Sequence, residues 1–253
     1  LTQSKANTPL YGDAFDTITY TLVVTNASGR GPAYDVVVTD VFPSKFVYDP
    51  NSFISTPDVT VISTTAGLTA TFAVITAGTT GRITFTGSLN GAVIPAEVLT
   101  NTTGAIATSL PGLDGSPRST YDITNTVERS TNSTNSTYRT GASASMAIIQ
   151  PVLGKTLIGT ELLGSANGAT QAVIGEFITY TVVLSVPEGM LPSARITDTL
   201  PSGLAYVRCD SISASAGVTT SVASGFAGVC SDTTAPTVSS PGQSVPFNFG
   251  VLT

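Results

Sequence analysis

The chain has 253 residues, a net charge of −6, only 10% charged residues, and neither histidine nor tryptophan. That length accommodates two domains with their own cores, and an apolar content of 41% argues against a disordered chain. Without histidine, Ser-His-Asp and Cys-His catalysis and histidine metal sites are excluded; we expect neither a metal nor a cofactor. Nucleic-acid binding is not expected without a basic patch, and no apolar run approaches the ~20 residues that span a bilayer.

Several stretches of the sequence occur twice in the same order. Self-similarity over a long period predicts an array of like modules. We therefore place one module at residues 1–150 and a second at 151–253. The matching stretches are residues 16–26 and 176–186, residues 36–48 and 194–206, and residues 84–89 and 247–252.

Strand-length segments with a period of two follow one another along the first module. Residues 109–143 are instead turn-rich and of low complexity, and we predict a long polar loop there. Short strands without helical periodicity predict an all-β fold of tandem immunoglobulin-like β-sandwiches. The predicted strands of the first module lie at residues 17–24, 36–38, 46–48, 60–63, 70–75, 82–86, 98–107 and 143–149.

The second module stops at Thr253, directly after the stretch matched to residues 84–89. Strands equivalent to residues 90–149 are therefore expected to be missing from it. A sandwich without its last strands exposes a sheet edge that can accept an added strand. Two sources stay open: later residues of a longer chain, or residues 1–10 of a neighbouring copy acting as a donor strand.

The two cysteines, Cys209 and Cys230, flank a stretch rich in glycine, alanine and serine. We predict a disulfide between them, with two buried thiols as the alternative. Their flanks read as two strands of one module, and a closed loop of about 20 residues would stabilise it by ~3 kcal/mol. Because disulfides persist in oxidising compartments, the pair indicates an extracellular chain.

The repeated motif resembles a repeat of bacterial and archaeal surface proteins known as domain of unknown function 11. The residues that carry the resemblance are Gly-Glu-Phe-Ile-Thr-Tyr-Thr at 175–181 and Thr-Asp-Thr-Leu-Pro-Ser-Gly-Leu-Ala-Tyr at 197–206. The first module departs from this pattern at Phe42 and Lys45. The motif is also similar to the isopeptide-forming domain of fimbrial subunits. This resemblance implies immunoglobulin-like sandwiches in surface filaments, stalks or adhesins, without enzymatic turnover.

Lys5 lies shortly before the first repeated strand, where the fimbrial family places a lysine that attacks an asparagine amide. The resemblance implies an intramolecular isopeptide bond with Asp40 as the acid that shuttles the proton. Asn101 and Asn125 are both candidates for the acceptor. The reaction needs a neutral, desolvated amine. The alternative is a solvated lysine at a domain edge and an aspartate that caps a turn.

Lys155 and Asp198 are the corresponding residues of the second module, but no acceptor is apparent before Thr253. The spacing is also unequal. Lys5 precedes Asp16 by 11 residues, whereas Lys155 precedes Glu176 by 21. The sequence therefore leaves open whether the two lysines occupy equivalent positions.

Four Asn-x-Ser/Thr sequons are candidate glycosylation sites in an extracellular chain. The two in the polar loop are the better candidates because their segment is expected to be exposed. The four asparagines are Asn26, Asn101, Asn132 and Asn135.

We predict a structural, non-enzymatic subunit or segment of an extracellular appendage, sheath or filament. Its partners would be copies of itself or further modules of the same chain. The alternative is a pair of spacer modules in the stalk of a large cell-surface adhesin. A hydrolase with Asp35 and Asp40 as paired carboxylates has no positive support in the sequence.

Overall fold

A computed structural model of the protein describes residues 1–109, 111, 139–161, 171–231 and 244–253. The chain divides into two compact units, a first unit of Leu1–Ile148 and a second unit of Ile149–Thr253. Within the part of the chain that is described, no helix is long and apolar enough to cross a membrane.

The first unit is a β-sandwich of two sheets. Its strands are β1 (Thr2–Thr8), β2 (Tyr11–Gly12), β3 (Thr17–Thr25), β4 (Ala33–Val41), β5 (Phe46–Tyr48), β6 (Ile54–Thr56), β7 (Thr60–Ser63), β8 (Gly67–Ile75), β9 (Thr80–Leu89), β10 (Val98–Thr108) and β11 (Arg139–Ile148). One sheet has the order β1-β3-β9-β5, with β6 also on β9, and the other has the order β2-β11-β10-β4-β8-β7. The fold therefore agrees with the predicted β-sandwich.

The core lies between the two sheets and follows the period of two in the strands. On β3 the residues Ile18, Tyr20, Leu22 and Val24 are buried, whereas the threonines between them are not. Five aromatic rings lie with neighbouring centroids 5.1–6.3 Å apart and join β3, β5 and β9 to the residue after β4. Such edge and tilted contacts add to the stabilisation from buried area. The rings are those of Tyr20, Phe42, Phe46, Tyr48 and Phe85.

The first strand, β1, corrects our expectation for the N-terminal segment. Residues 2–8 pair with β3 along their whole length, and Lys5 lies opposite Leu22. The prediction that residues 1–10 form a donor strand for a neighbouring copy is not confirmed, because this segment completes a sheet of its own unit.

The loop predicted at residues 109–143 is too long at its C-terminal end. Strand β11 begins at Arg139, so residues 139–143 belong to the sheet and pair with β10. Asn125, Asn132 and Asn135 lie outside the described residues.

The second unit contains β12 (Val152–Thr160), β13 (Ile178–Ser185), β14 (Leu191–Thr199), helix α1 (Gly225–Ser231) and β15 (Ser244–Leu252). Strand β12 pairs with β13, and β14 pairs with β15, in two separate two-stranded sheets. A small core gathers Ala194, Val229, Phe249 and Leu252, with Phe226 of α1 packed against it. Among the described residues, fewer strands cover this core than cover the core of the first unit.

Strand β15 is the counterpart of β8, which corrects the match we drew between residues 247–252 and 84–89. Asp198 of β14 pairs with Val245 of β15, just as Asp40 of β4 pairs with Leu68 of β8. The buried apolar residues then coincide along both strands: Leu68, Phe72 and Ile75 on β8, and Val245, Phe249 and Leu252 on β15. The stretch at 84–89 lies in β9, which pairs with β3 instead of β4.

Cys209 and Cys230 form the expected disulfide, with their Cα atoms 5.4 Å apart. The flanks differ from the expectation of two strands. Cys230 lies in α1, and Cys209 lies in a segment without regular structure. The bond therefore ties a helix, and not a second strand, to the segment that follows β14.

Candidate functional site

A buried ion pair joins the two sheets of the first unit. Lys5 extends from β1 and its Nζ donates a hydrogen bond to Oδ2 of Asp40 on β4. Both side chains are 0% exposed. The Lys5 Nζ also lies 5.1 Å from the ring centroid of Tyr20 on β3. We refer to Lys5, Asp40, Tyr20 and Asn101, which is described next, as the buried cluster.

Asn101 on β10 completes the buried cluster and is 0% exposed. Neither polar atom of its amide makes a well-formed hydrogen bond, and neither does Oδ1 of Asp40. The amide nevertheless lies close enough to Asp40 and Tyr20 to oppose the rise in pKa that burial causes at each. An unsatisfied buried polar group costs about 1–3 kcal/mol, so its retention in the core needs a reason other than stability.

The alternation of side chains along three strands brings these residues together. Lys5 lies at an inward position of β1, and Asp40 follows the buried Val36 and Val38 on β4. The Nε2 of Gln3 donates a hydrogen bond to Oγ1 of Thr103 at 3.0 Å. Lys5 lies two residues after Gln3 on β1, and Asn101 lies two residues before Thr103 on β10. The hydrogen bond between Gln3 and Thr103 links these two strands across the core.

Burial shifts both members of the ion pair towards their neutral forms. It lowers the pKa of Lys5 from 10.5 to about 8, although the charge and hydrogen bond of Asp40 oppose this change. It raises the pKa of Asp40, although Lys5 and Asn101 oppose that change. Burial and the charge of Asp40 raise the pKa of Tyr20 to about 12. Tyr20 therefore stays protonated, whereas a neutral amine and a protonated carboxyl become accessible.

The buried cluster holds the three groups that amide exchange needs. A neutral Lys5 amine is the nucleophile, the Asn101 carbonyl carbon is the electrophile, and Asp40 can move the proton. In the described ranges, no three His, Cys, Asp or Glu residues are grouped so that they could hold an ion. The hydrolase alternative is not supported, because Asp40 is buried against Lys5 instead of facing a cleft beside Asp35.

The second unit repeats part of this arrangement. Lys155 Nζ donates hydrogen bonds to both carboxylate oxygens of Asp198 at 2.7 Å and lies 4.4 Å from the ring centroid of Tyr180. The Lys155 side chain is 33% exposed and that of Asp198 is 20% exposed. Among the described residues of the second unit, no asparagine takes the place of Asn101. We call Lys155, Asp198 and Tyr180 the half-site.

The strand register shows that the two lysines are equivalent. Lys155 lies opposite Val182 on β13, two residues beyond Tyr180. Lys5 lies opposite Leu22 on β3, likewise two residues beyond Tyr20. The unequal spacing in sequence therefore reflects a longer connection between β12 and β13.

The residues directly before β3 and β13 make the same kind of hydrogen bond in the two units. The backbone N–H of Asp13 donates to Oδ2 of Asp16 at 3.0 Å, and that of Val173 donates to Oε2 of Glu176 at 2.9 Å. Both pairs precede the repeated Thr-Tyr-Thr. The sequence singles out the two lysines and the two aspartates, but it does not place Tyr20 and Tyr180 beside them. Only the strand register shows that each tyrosine lies two residues before the residue that pairs with the lysine.

Two of the four sequons lie at buried positions. Asn26 is 3% exposed, and its Nδ2 donates to the carbonyl oxygens of Gly31 and Ile75, both at 2.9 Å. Asn101 lies in the buried cluster. Neither site leaves room for a glycan in the folded unit, and the other two lie outside the described residues.

The chain is similar in structure to Gram-positive pilus proteins. It matches the pilus backbone RrgB of Streptococcus pneumoniae at 12% identity and a TM-score of 0.37, covering 44% of this chain and 32% of that one. The T6 backbone pilin of Streptococcus pyogenes matches at 12% identity and a TM-score of 0.39, covering 75% of this chain and 46% of that one. The pilus 2b backbone protein of group B streptococcus matches at 14% identity and a TM-score of 0.39, covering 74% of this chain and 80% of that one. The chain thus spans less than half of the first two proteins.

No family model matches the chain, and no curated protein matches it. The specific resemblance to domain of unknown function 11 is therefore not confirmed. At these identities and TM-scores, neither residue roles nor functions are transferred from the pilus proteins.

Proposed function

We propose that the protein is a structural, non-enzymatic segment of an extracellular surface appendage, and that its first unit is locked by an amide bond between Lys5 and Asn101. The observation that carries this proposal is the buried cluster. A lysine, an aspartate and an unsatisfied asparagine amide share one site that is closed to bulk solvent. A core selected for stability alone would be better served by apolar residues.

The reaction is a single amide exchange. The lone pair of the neutral Lys5 amine attacks Cγ of Asn101 while protonated Asp40 donates a hydrogen bond to the carbonyl oxygen. The Cγ–Nδ2 bond then breaks. Asp40 transfers the proton from Nζ to the leaving nitrogen, which departs as ammonia. The products are one Nζ–Cγ amide and one ammonia molecule, without an oxidant or a cofactor, and the mass falls by about 17 Da.

Such a bond would change how the first unit bears tension. Lys5 lies in the first strand, and Asn101 lies in β10, which pairs with the last strand, β11. A pull between Leu1 and Ile148 would pass through the amide and bypass residues 6–100. By the chain-entropy relation for cross-links, closing a loop of this length also stabilises the unit by about 4–5 kcal/mol.

Extracellular assembly is supported by two further properties. The disulfide is typical of oxidising compartments. Only 10% of residues are charged, which favours surfaces buried against copies of the chain over the well-solvated surface of an adhesin spacer. Electron microscopy of native material distinguishes an ordered polymer from isolated stalks.

Single-molecule pulling tests the mechanical role. In the intact chain, residues 6–100 should extend only after a covalent bond breaks. The gain in length on unfolding should therefore be smaller for the intact chain than for the Asn101→Ala variant. The difference is roughly 330 Å for these residues at about 3.5 Å each. A Lys45→Met variant, which loses an ion pair with Glu97 outside the buried cluster, is the matched control. Equal extensions for the intact chain and Asn101→Ala would refute the lock.

A further inference from the structure

A chain of side-chain hydrogen bonds connects the three strands that carry Lys5, Asn101 and Asp40. The Nε2 of Gln3 on β1 donates to Oγ1 of Thr103 on β10 at 3.0 Å. The same hydroxyl donates to the backbone carbonyl oxygen of Thr39 on β4 at 3.1 Å. The chain of bonds therefore crosses from one sheet to the other and ends one residue before Asp40.

The spacing of these bonds matches the spacing of the reacting groups. Two residues along β1 lead from Gln3 to Lys5, and two residues back along β10 lead from Thr103 to Asn101. Side chains two residues apart lie on the same face of a strand, about 6.7 Å from each other. Main-chain pairing does not join β1 to β10, because the two strands belong to different sheets. The Gln3–Thr103 bond can therefore set the position of Lys5 relative to Asn101 across the gap between the sheets.

The stability of the core does not explain why this position holds a glutamine. The Oε1 of Gln3 is buried and has no hydrogen-bond partner, which costs free energy. In the second unit Leu153 takes the place of Gln3, because each lies two residues before the lysine in the equivalent register. The first strand of such a sheet therefore does not require a glutamine at this position.

We propose that Gln3 and Thr103 are positioning residues for the amide exchange between Lys5 and Asn101. Their hydrogen bond holds β1 over β10 at the place where the Lys5 amine faces Cγ of Asn101, and neither residue takes or gives a proton in the reaction. This inference rests on the proposed function and adds the residues that fix the geometry of the reacting atoms. Positioning matters because a displacement of about 1 Å can slow a reaction about 100-fold.

The rate of amide formation tests this role. The full-length protein is made by cell-free synthesis, and its mass under denaturing conditions is followed over time, so that the loss of about 17 Da reports the bond. Thr103→Val keeps the shape of the side chain but removes the hydroxyl that Gln3 and Thr39 share. We expect this variant to form the bond roughly 10 to 100 times more slowly than the native chain. Gln3→Met, which keeps the length of the side chain, should slow the reaction to a similar extent.

Two control variants separate the hydrogen bond from a general disturbance of β10. Thr103→Ser keeps the hydroxyl and should restore most of the native rate. Thr100→Val removes an exposed hydroxyl of the same strand, which shares a hydrogen bond with Ser145 at 2.9 Å, and should leave the rate unchanged. The thermal transition of the first unit verifies that each variant is folded at the temperature of the assay.

The pH dependence of the rate distinguishes positioning from an effect on the charges of the buried cluster. Positioning should lower the rate by the same factor at every pH, because the protonation of Lys5 and Asp40 is not altered. A shift of the pH–rate profile in Thr103→Val would overturn the positioning role.

The remaining outcomes distinguish this inference from the proposed function. A native rate in Gln3→Met would overturn the inference and leave the proposed function intact, even if Thr103→Val fails to fold. A rate in Thr103→Ser as low as in Thr103→Val would assign the effect to packing and would likewise overturn the inference. A native chain that never loses ammonia would contradict the proposed function and this inference together.

Discussion

Lys5 and Asp40 meet between the two sheets of the first unit, one from β1 and the other from β4, with neither side chain exposed to solvent. Burial of two opposite charges contributes little net stability when compared with apolar packing. The role that we propose for the pair therefore depends on the Asn101 amide beside it.

Replacement Asp40→Asn should abolish the cross-link while preserving the volume of the side chain. The variant loses the acid that moves the proton, so its measured mass should equal the mass expected from its sequence. Its unfolding free energy should fall by about 3–5 kcal/mol from the unpaired Lys5 alone, because the buried amine loses its counter-charge. Denaturant titration measures this loss.

The control for Asp40→Asn is Lys45→Met. Lys45 forms its ion pair with Glu97 at the surface, where both side chains are at least 20% exposed. This variant should lose less than about 1 kcal/mol and keep the cross-link. A cross-link that persists in Asp40→Asn would remove the aspartate from the reaction.

Without the cross-link, the stability of the first unit should rise with pH above 8. In the Asn101→Ala variant Lys5 stays a free amine with a folded-state pKa of about 8, against 10.5 for an unperturbed lysine. Between these values the unfolded chain binds a proton that the folded chain does not. Raising the pH therefore favours folding, by up to about 3 kcal/mol at pH 10.5.

The control for this pH profile is the double variant that combines Asn101→Ala with Lys5→Met. Denaturant titration at each pH measures the free energy of unfolding of both proteins. Other lysines and tyrosines titrate alike in both proteins, so the difference between the two curves reports Lys5 together with its partner Asp40. Lys5→Met removes the charge that opposes the raised pKa of Asp40, so both contributions make the difference rise with pH. The intact protein should also lack the rise, because its Lys5 nitrogen is an amide. A difference that is flat or falls with pH would contradict the lowered pKa of Lys5.

Removal of the disulfide should weaken the second unit alone. The bond closes a loop of 21 residues between Cys209 and Cys230, and its loss should cost about 3 kcal/mol. In calorimetry the double variant Cys209→Ser/Cys230→Ser should lower one thermal transition and leave the transition of the first unit in place. A shift of both transitions would show that the two units unfold together.

Much of the first unit can be predicted from the sequence, but β1 cannot. The alternation of threonine with apolar residues marks β3 as a strand with one buried face. On β1 the inward residues are Gln3, Lys5 and Asn7, all polar, so no apolar period marks this strand. The polar residues that obscure β1 in the hydrophobic pattern include Lys5 of the buried cluster.

The candidate site was only partly predictable for a related reason. The repeat links Asp40 to Asp198 directly, but the lysines lie in strands whose distance to the repeat differs by 10 residues. Only the pairing of Lys5 with Leu22 and of Lys155 with Val182 shows that they are equivalent. The sequence left Asn101 and Asn125 as alternatives; the structure brings Asn101 to the cluster, and Asn125 lies outside the described residues.

Two predictions for the second unit were wrong because local similarity competed with long-range pairing. The resemblance of residues 247–252 to 84–89 rests on a few apolar residues that also match β8, and only the register with Asp198 distinguishes the two. Helix α1 has seven residues, Gly-Phe-Ala-Gly-Val-Cys-Ser, with two glycines and no acidic residue in its first turn. Because such a segment has little helix propensity of its own, its contacts with β15 and the disulfide have to hold it.

The intact mass of the purified protein, measured under denaturing conditions, tests the central claim most directly. We predict a mass about 17 Da below that of the disulfide-bonded chain, with a branched fragment that contains Lys5 and Asn101, because ammonia leaves as the amide forms. The Asn101→Ala variant should show the full mass of its own disulfide-bonded chain. A native protein with the full sequence mass and unmodified Lys5 and Asn101 peptides would contradict the account.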